Sequence, residues 1–480
     1  MSAKKHLKNQ AIILTAARLF EAVIQLLTPI VLVRYIDTND FGLYRLFWLA
    51  INTIMVFAPL GMPSSLSYFL PKLDSKTGGK YVFQTIIFLI LSACVSALIL
   101  TPWNVFLPAN LHSFLSQNNT TVPLFIFFWV FSILLDFLPN ALQKNTQQAI
   151  IIVVLAIIKT ALIIYSAIIF GDLDHILMAL IVFVLIKSVL LIFYTFSNFN
   201  WIVFNKATFK LQLNYAMPFG LASAVYGLRR QTELWIVGYL FSSSVFGAFS
   251  LAAMVCLPFD ILRSSVSNVV LPRMCLAYAK NDRLLTIEYN RRANVIVAAT
   301  SFPLVVFIIF FATEIVDILF GKQYTEAIPV LRVYITQLLV TLEVGTLFNA
   351  LAQGVFNFRY NLFVLIISAV LSFFLAQIIG LPGAAVGSVA ANFIALLIGL
   401  FKISSVLKIP IRALQYWTHL CLLMITAWLS IIPVYFINDR YLTDYPLFII
   451  LPTCFLLLIL FYLILLLGSG ELKRIKKLFT

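Results

Sequence analysis

Charge is scarce in this chain, and acidic charge is scarcest. Of 480 residues, 11% are charged and 62% are hydrophobic, and 18 acids face 33 bases for a formal net charge of +15. Soluble domains are about 45–50% apolar, so no soluble domain of ordinary size fits in the chain. Cysteine is also sparse. The five cysteines (Cys94, Cys256, Cys275, Cys421, Cys454) fall in or beside apolar stretches with no C-x-x-C spacing. That excludes a disulfide framework and a zinc site. The four histidines (His6, His112, His175, His419) have no ligand spacing, and no metal or cofactor is expected. A phosphate-binding loop is missing: Thr77-Gly-Gly-Lys80 lacks the upstream glycine and the following Ser or Thr. Asp172-Leu-Asp174 has the spacing of paired metal-binding acids, but it sits in a very short loop where chance explains it better.

What the chain has is apolar length. Mean hydropathy is +1.02, and runs of 20 or more apolar residues recur from end to end. Each can cross a hydrocarbon core of about 30 Å. The fold class is therefore an all-α polytopic membrane protein. Fourteen spans are expected, at 10–34, 43–70, 81–101, 122–142, 147–169, 175–199, 212–240, 246–271, 293–313, 327–356, 361–380, 383–401, 413–437 and 445–467. The basic start, MSAKKHLKNQ, leads into a run too long for a signal peptide and shows no small-x-small cleavage site, so it is expected to remain as the first span.

Basic residues test the count. With the N-terminus in the cytoplasm, the cytoplasmic segments collect 22 lysines and arginines, and the other side holds only Arg34, Lys322 and Arg440. One missed span would scramble this pattern, so the asymmetry supports an even count with both termini cytoplasmic. The same placement explains the positive net charge without nucleic acid.

One corner is written twice. VRYIDTNDFGLY (Val33–Tyr44) returns as VGYLFSSSVFGAF (Val237–Phe249). The span after each corner also closes alike, on FLPK (Phe69–Lys72) and VLPR (Val270–Arg273). Six spans separate the copies, so the repeat has parallel topology, as in two-lobed transporters. The expected domains are an N-terminal lobe at 1–205, a C-terminal lobe at 206–408, and two extra spans with a basic tail at 409–480.

At this point the chain resembles a known family. The stretches LVRYIDTNDFGLYRLFWLAINTIMVFAPLGMPSSLSYFLPK, AMPFGLASAVYGLRRQTELWIVGYLFSSSVFGAFSLA, VLPRMCLAYAKND, ILFGKQYTEAIPVLRV and GLPGAAVGSVAANFIAL carry the likeness. It is to the polysaccharide-exporter branch, the O-antigen (Wzx-type) flippases, of the multidrug/oligosaccharidyl-lipid/polysaccharide (MOP) superfamily. The likeness runs over nearly the whole chain, through order and spacing rather than one motif. Where the family's seventh span often carries Asp, this chain has Glu233. The resemblance implies a transporter rather than an enzyme. It would move an undecaprenyl-pyrophosphate-linked oligosaccharide from the inner to the outer leaflet of the bacterial cytoplasmic membrane, for surface polysaccharide synthesis. Implied partners are membrane lipids, a polysaccharide polymerase and chain-length proteins. The alternatives are a cation antiporter of the multidrug branch, which should have an acidic cavity, and a polysaccharide polymerase, which should have large outer loops bearing arginine.

Charges inside the spans point to mechanism. Eight bases (Arg18, Arg45, Lys159, Lys187, Arg229, Arg230, Arg263, Arg332) and five acids (Glu21, Asp136, Glu233, Asp260, Glu343) lie there. Each costs on the order of 3 kcal/mol facing lipid at mid-depth, so they should face water or one another. Arg18/Glu21, Arg229/Glu233 and Asp260/Arg263 have helical pairing distances. Lys159 and Lys187 have no local acid and either stay cationic in a cavity, serve lobe packing, or bond Asp136 across helices. A cationic cavity suits a pyrophosphate. The expected substrate site is Arg18, Lys159, Lys187, Arg229, Arg230 and Arg263. Glu21, Asp136, Glu233 and Asp260 are candidates for charge pairing or for coupling to a proton or sodium gradient. Pro59, Pro218, Pro258 and Pro303 are expected to kink their spans.

Overall fold

A computed structural model describes residues 2–101, 107–199, 204–339, 344–442 and 445–472, with side chains described from Ile13 onward apart from residues 75 and 76. Among these residues every regular element is a helix. The chain forms two compact units, Met1–Gly247 and Ala248–Thr480.

The first unit holds α1 (Ser2–Leu32), α2 (Thr38–Phe57), α3 (Met62–Phe69), α4 (Ser75–Ile99), α5 (Ala109–Gln117), α6 (Thr121–Ser132), α7 (Leu138–Ala141), α8 (Asn145–Ile169), α9 (Leu173–Asn198), α10 (Lys206–Arg229) and α11 (Thr232–Leu240). Helix α12 (Ser243–Val255) runs across the division. The second unit holds α13 (Leu257–Ala279), α14 (Arg283–Phe310), α15 (Ala312–Leu319), α16 (Ala327–Thr336), α17 (Val344–Ala350), α18 (Gly354–Ile379), α19 (Leu381–Leu407), α20 (Trp417–Ile437) and α21 (Leu447–Gly468). In the first unit α1 packs along α8, α4 on α6, and α6 and α8 on α9; in the second, α18 packs on α19, α13 on α14, and α20 on both α14 and α21.

Short polar loops start the helices for a local reason. Asp37 accepts the Asn39 amide at 2.9 Å ahead of α2, Asp172 the His175 amide at 2.9 Å ahead of α9, and Asp282 the Leu285 amide at 2.9 Å ahead of α14. Each satisfies a backbone donor that the first helical turn leaves free. Asp172 also contacts the His175 ring at 2.7 and 2.8 Å. Burial works against its ionised form, but the bonds from His175 hold the carboxyl below the usual carboxylate range. The first acid of Asp172-Leu-Asp174 is thus a helix cap.

Thirteen helical stretches among the described residues are long and apolar enough to cross a membrane. The seventh expected span, 212–240, is not among them. It is helical, but it is broken at Arg230 and Gln231 between α10 and α11 and carries its charges at that break. The prolines divide into two kinds. The second span breaks after Phe57 beside Pro59, and α13 begins with Pro258 in its first turn after a break at Cys256. Pro218 and Pro303 sit inside continuous helices. Outward faces are apolar, as at Leu98, Phe196 and Ile378, all more than two-thirds exposed. That is an inverted surface suited to lipid.

The doubled corner has a structural reason within the first unit. A Cβ at Gly42 would run into the Ser243 backbone carbonyl, and one at Gly247 would lie 3.2 Å from the Phe41 ring and 3.3 Å from Gly42 Cα. The two Phe-Gly corners pack backbone to backbone, and only glycine allows that approach. GLPGAAVG works similarly in the second unit: Gly383 and Gly387, one turn apart, let the α18 backbone close on α19.

Candidate functional site

Five of the ten singled-out charges converge in the first unit. Arg18 and Glu21 stand on α1, Lys159 on α8 and Lys187 on α9. Asp136 ends a single 3₁₀ turn, Ile133–Asp136, in which the helix tightens after α6. Packing of α1 on α8, and of α6 and α8 on α9, brings the five together. Thr28 and Thr160 hydroxyls, 3.3 Å apart, set the α1–α8 register beside Lys159.

The geometry settles the alternative for Lys187. Its Nζ donates to Asp136 Oδ2 at 2.8 Å. The lysine side chain is 7% exposed and the aspartate 43%, so the pair has one buried end and one open end. The same ammonium lies 5.2 Å from the Trp129 ring centroid. Lys159 shares the indole part of this arrangement: its ammonium lies 5.8 Å from the Trp48 centroid. Glu21 lies within electrostatic reach of Lys159, Asp136, Lys187 and Arg18. Glu21 also accepts from Gln25 Nε2 at 3.1 Å.

The two tryptophans meet edge to face with centroids 5.3 Å apart, and Phe125 stacks on Trp129 at 5.4 Å. One bonded lysine–carboxylate pair, Lys187–Asp136 beside Trp129, and one lysine over an indole, Lys159 at Trp48, therefore lie in the same unit as Glu21 and Arg18. An indole face attracts an ammonium while leaving it able to hydrogen-bond elsewhere.

The other five candidates are placed differently. Arg229 ends α10, Arg230 lies in the break, and Glu233 opens α11; Arg229 and Glu233 are half-buried and Arg230 is exposed. Spacing placed Arg229 and Glu233 as neighbours on one helix, and the break at Arg230 and Gln231 lies between them. The break is pinned to α2: Trp235 Nε1 donates to Thr53 Oγ1 at 2.8 Å, and Thr53 Oγ1 contacts Gln231 Oε1. Asp260 and Arg263 lie in the second unit as a local pair at 3.8 Å, each about two-fifths exposed. Glu343 lies outside the described residues.

Sequence reasoning missed Trp48 and Trp129. With 44 Phe and 19 Tyr, aromatic residues were too common to single out, but tryptophan is rare at seven, and that rarity was the available signal. It also missed the amides Gln84 and Gln212, both fully buried. Gln84 is visible as a lone amide in an apolar run, but Gln212 stands between Lys210 and Asn214 and does not stand out.

Comparison with known proteins fits this geometry. Residues 31–329 match the family described as "Polysaccharide biosynthesis protein". The capsular polysaccharide biosynthesis protein CapF of Staphylococcus aureus is 24% identical over 391 residues, which is 79% of this chain and 95% of that one. The structure is similar to that of the lipid II flippase MurJ in an inward closed conformation, with a TM-score of 0.74 at 17% identity over 96% of this chain and all of that chain. It is also similar to an inward-facing multidrug resistance MATE family transporter of the MOP superfamily, with a TM-score of 0.62 at 14% identity over 83% of this chain and 99% of that one. The chain belongs to the polysaccharide biosynthesis family, as a multi-pass membrane protein with the fold of MOP-superfamily flippases and transporters.

Proposed function

We propose that the protein is a lipid-linked oligosaccharide flippase. It carries an undecaprenyl-pyrophosphate-linked glycan from the inner to the outer leaflet of the cytoplasmic membrane by alternating access, for assembly of a surface polysaccharide. Both termini lie in the cytoplasm, on the side that collects the basic loops. Membrane lipids surround it, and a polymerase and chain-length proteins act beside it.

The observation that carries this reading is the cluster of Arg18, Glu21, Asp136, Lys159 and Lys187 in the first unit. Its cations outnumber its carboxylates, and both lysines stand on indole faces. A multiply charged pyrophosphate suits such a site, since charge-assisted bonds to phosphate oxygens are the strong ones. Lys159 and Arg18 serve the phosphates directly. Lys187, bonded to Asp136, shapes the site. Arg229, Arg230 and Arg263 contribute at other stages of transport. Glu21, Asp136, Glu233 and Asp260 are the groups through which a proton or sodium gradient couples to movement.

A flipping assay in proteoliposomes tests this. Undecaprenyl-pyrophosphate-linked oligosaccharide is supplied inside, and sugar accessibility is read outside, with and without proton or sodium gradients. Wild type should expose the glycan, and folded Lys159→Ala should expose at least about tenfold less. Exchange of a cationic dye with no movement of glycan lipid would replace this reading with a cation antiporter.

A further inference from the structure

The first unit carries a second aromatic and cationic station, away from the charge cluster, where α3 meets α10. Tyr68 of α3 and Tyr215 of α10 stack with centroids 4.5 Å apart and an interplanar angle of 18°. Lys72 Nζ lies 3.3 Å from the Tyr68 centroid. Phe69 braces the pair, edge-on to Tyr215 at 5.5 Å and stacked on Tyr81 at 4.7 Å. Tyr68 is 45% exposed.

Beneath the rings the seam is locked. Gln212 Nε2 donates to Ser65 Oγ at 2.8 Å and Thr85 Oγ1 at 2.9 Å, and Gln212 Oε1 accepts from Gln84 Nε2 at 2.7 Å. Thr208 Oγ1 donates to Gln84 Oε1 at 3.0 Å. Ser65 lies three residues before Tyr68, and Gln212 three before Tyr215, so the clasp and the rings share the same helix faces. The platform is therefore held by a satisfied, buried polar network, which rigidifies what it joins.

The repeat supplies an internal control. Tyr68-Phe69-Leu70-Pro71-Lys72 corresponds to Val269-Val270-Leu271-Pro272-Arg273. Val269 is exposed in its own unit. The two copies end differently: the first leaves its α-helix at Phe69 for a 3₁₀ turn over Leu70–Lys72, whereas α13 runs on through Pro272 to Ala279, so the shared Leu-Pro-base does not close both spans and the aromatic pair belongs to the first copy alone.

We infer that Tyr68, Tyr215 and Lys72 form a loading site for the sugar–diphosphate headgroup of a polyprenyl lipid, used before the headgroup reaches the charge cluster. This rests on the flippase reading. The exposed ammonium supplies charge complementarity to the diphosphate. At rest it covers the Tyr68 face by a cation–π contact. A diphosphate draws it into charge-assisted bonds and uncovers the ring for the first sugar, while the phenol hydroxyl reaches a sugar hydroxyl.

The test uses the purified full-length protein in nanodiscs with two probes, undecaprenyl-pyrophosphate-linked N-acetylglucosamine and undecaprenyl pyrophosphate without sugar. Tyr68→Val, the residue of the second copy, should weaken the glycosylated probe about tenfold and leave the bare diphosphate within about twofold of wild type. Lys72→Ala should weaken both probes about tenfold. Tyr68→Phe and Lys72→Arg keep stacking and charge and should retain binding within a few-fold; they carry the test if the harsher variants fold poorly. Wild-type affinity for both probes in folded Tyr68→Val and Lys72→Ala would overturn the loading site, leaving an interfacial anchor and the flippase reading intact. So would equal loss of both probes in Tyr68→Val. Wild type that binds neither probe would overturn both readings.

Discussion

Two ion pairs inside this molecule have the same chemistry and opposite surroundings. In the first unit Lys187 reaches Asp136 across helices at 2.8 Å, with the lysine 7% exposed. In the second unit Asp260 and Arg263, three residues apart on α13, stand 3.8 Å apart and about two-fifths exposed. The first exists because tertiary packing brings α9 to the 3₁₀ turn after α6. The second follows from spacing along one helix. A buried cation depends on its partner because removing the partner strands the charge. A half-exposed pair held within one helix strands less charge when one partner is removed.

Asp136→Ala should break this contrast most strongly. It leaves the Lys187 ammonium buried without its hydrogen-bonded carboxylate, costing about 3 kcal/mol, the low end for buried pairs since Asp136 is itself partly exposed. Thermal unfolding of the detergent-purified variant should show the loss. Adding Lys187→Met should return most of it, because a neutral side chain of similar volume has no charge to strand. Equal unfolding of Asp136→Ala and wild type would mean that water or another group already serves Lys187, and the two pairs would then differ less than their burial suggests.

Lys159→Gln separates function from stability within the first unit. Lys159 rests over Trp48 at 5.8 Å, a contact worth about 0.5–2 kcal/mol. Its loss should lower stability less than Asp136→Ala does. Transport should fall more than stability, by at least about tenfold in the glycan-lipid flipping assay, if the lysine meets phosphate. Unchanged flipping in a folded Lys159→Gln protein would remove Lys159 from the substrate path.

The contrast also marks what could be read from residues alone. Apolar length and the sidedness of the bases made the spans and their order legible, because the bilayer imposes both on any chain that crosses it. The doubled Phe-Gly corner was legible as a repeat, but its cause, Gly42 against Ser243 and Gly247, was not. Backbone contact between segments two hundred residues apart leaves no local pattern. The charges that gather in the first unit were legible as misplaced charges, and the local Asp260–Arg263 pairing followed from spacing. The Lys187–Asp136 bond did not, since helix spacing sees only one helix. The break at Arg230–Gln231 was hidden too: neither residue is a helix breaker, and the interruption is tied to tertiary bonds from Thr53 to Gln231 and Trp235.

Arg263→Gln is the smallest expected effect and the sharpest control. An exposed i,i+3 pair stabilises a helix by about 0.2–0.5 kcal/mol, and at 3.8 Å with both side chains partly exposed Asp260–Arg263 should lie at the lower end. Thermal unfolding should barely move, and raising salt should erase the remaining difference from wild type, because screening acts on open charges and much less on buried ones. The Lys187–Asp136 contribution should persist at the same salt. That makes flipping by Arg263→Gln informative in a way Asp136→Ala cannot be. A variant that unfolds like wild type yet moves less glycan lipid would place Arg263 in the transport path, with no loss of folded protein to explain the defect. A variant that unfolds and transports like wild type would leave Asp260–Arg263 a surface pair, and confine the working charges of the membrane to the first unit and its broken seventh helix.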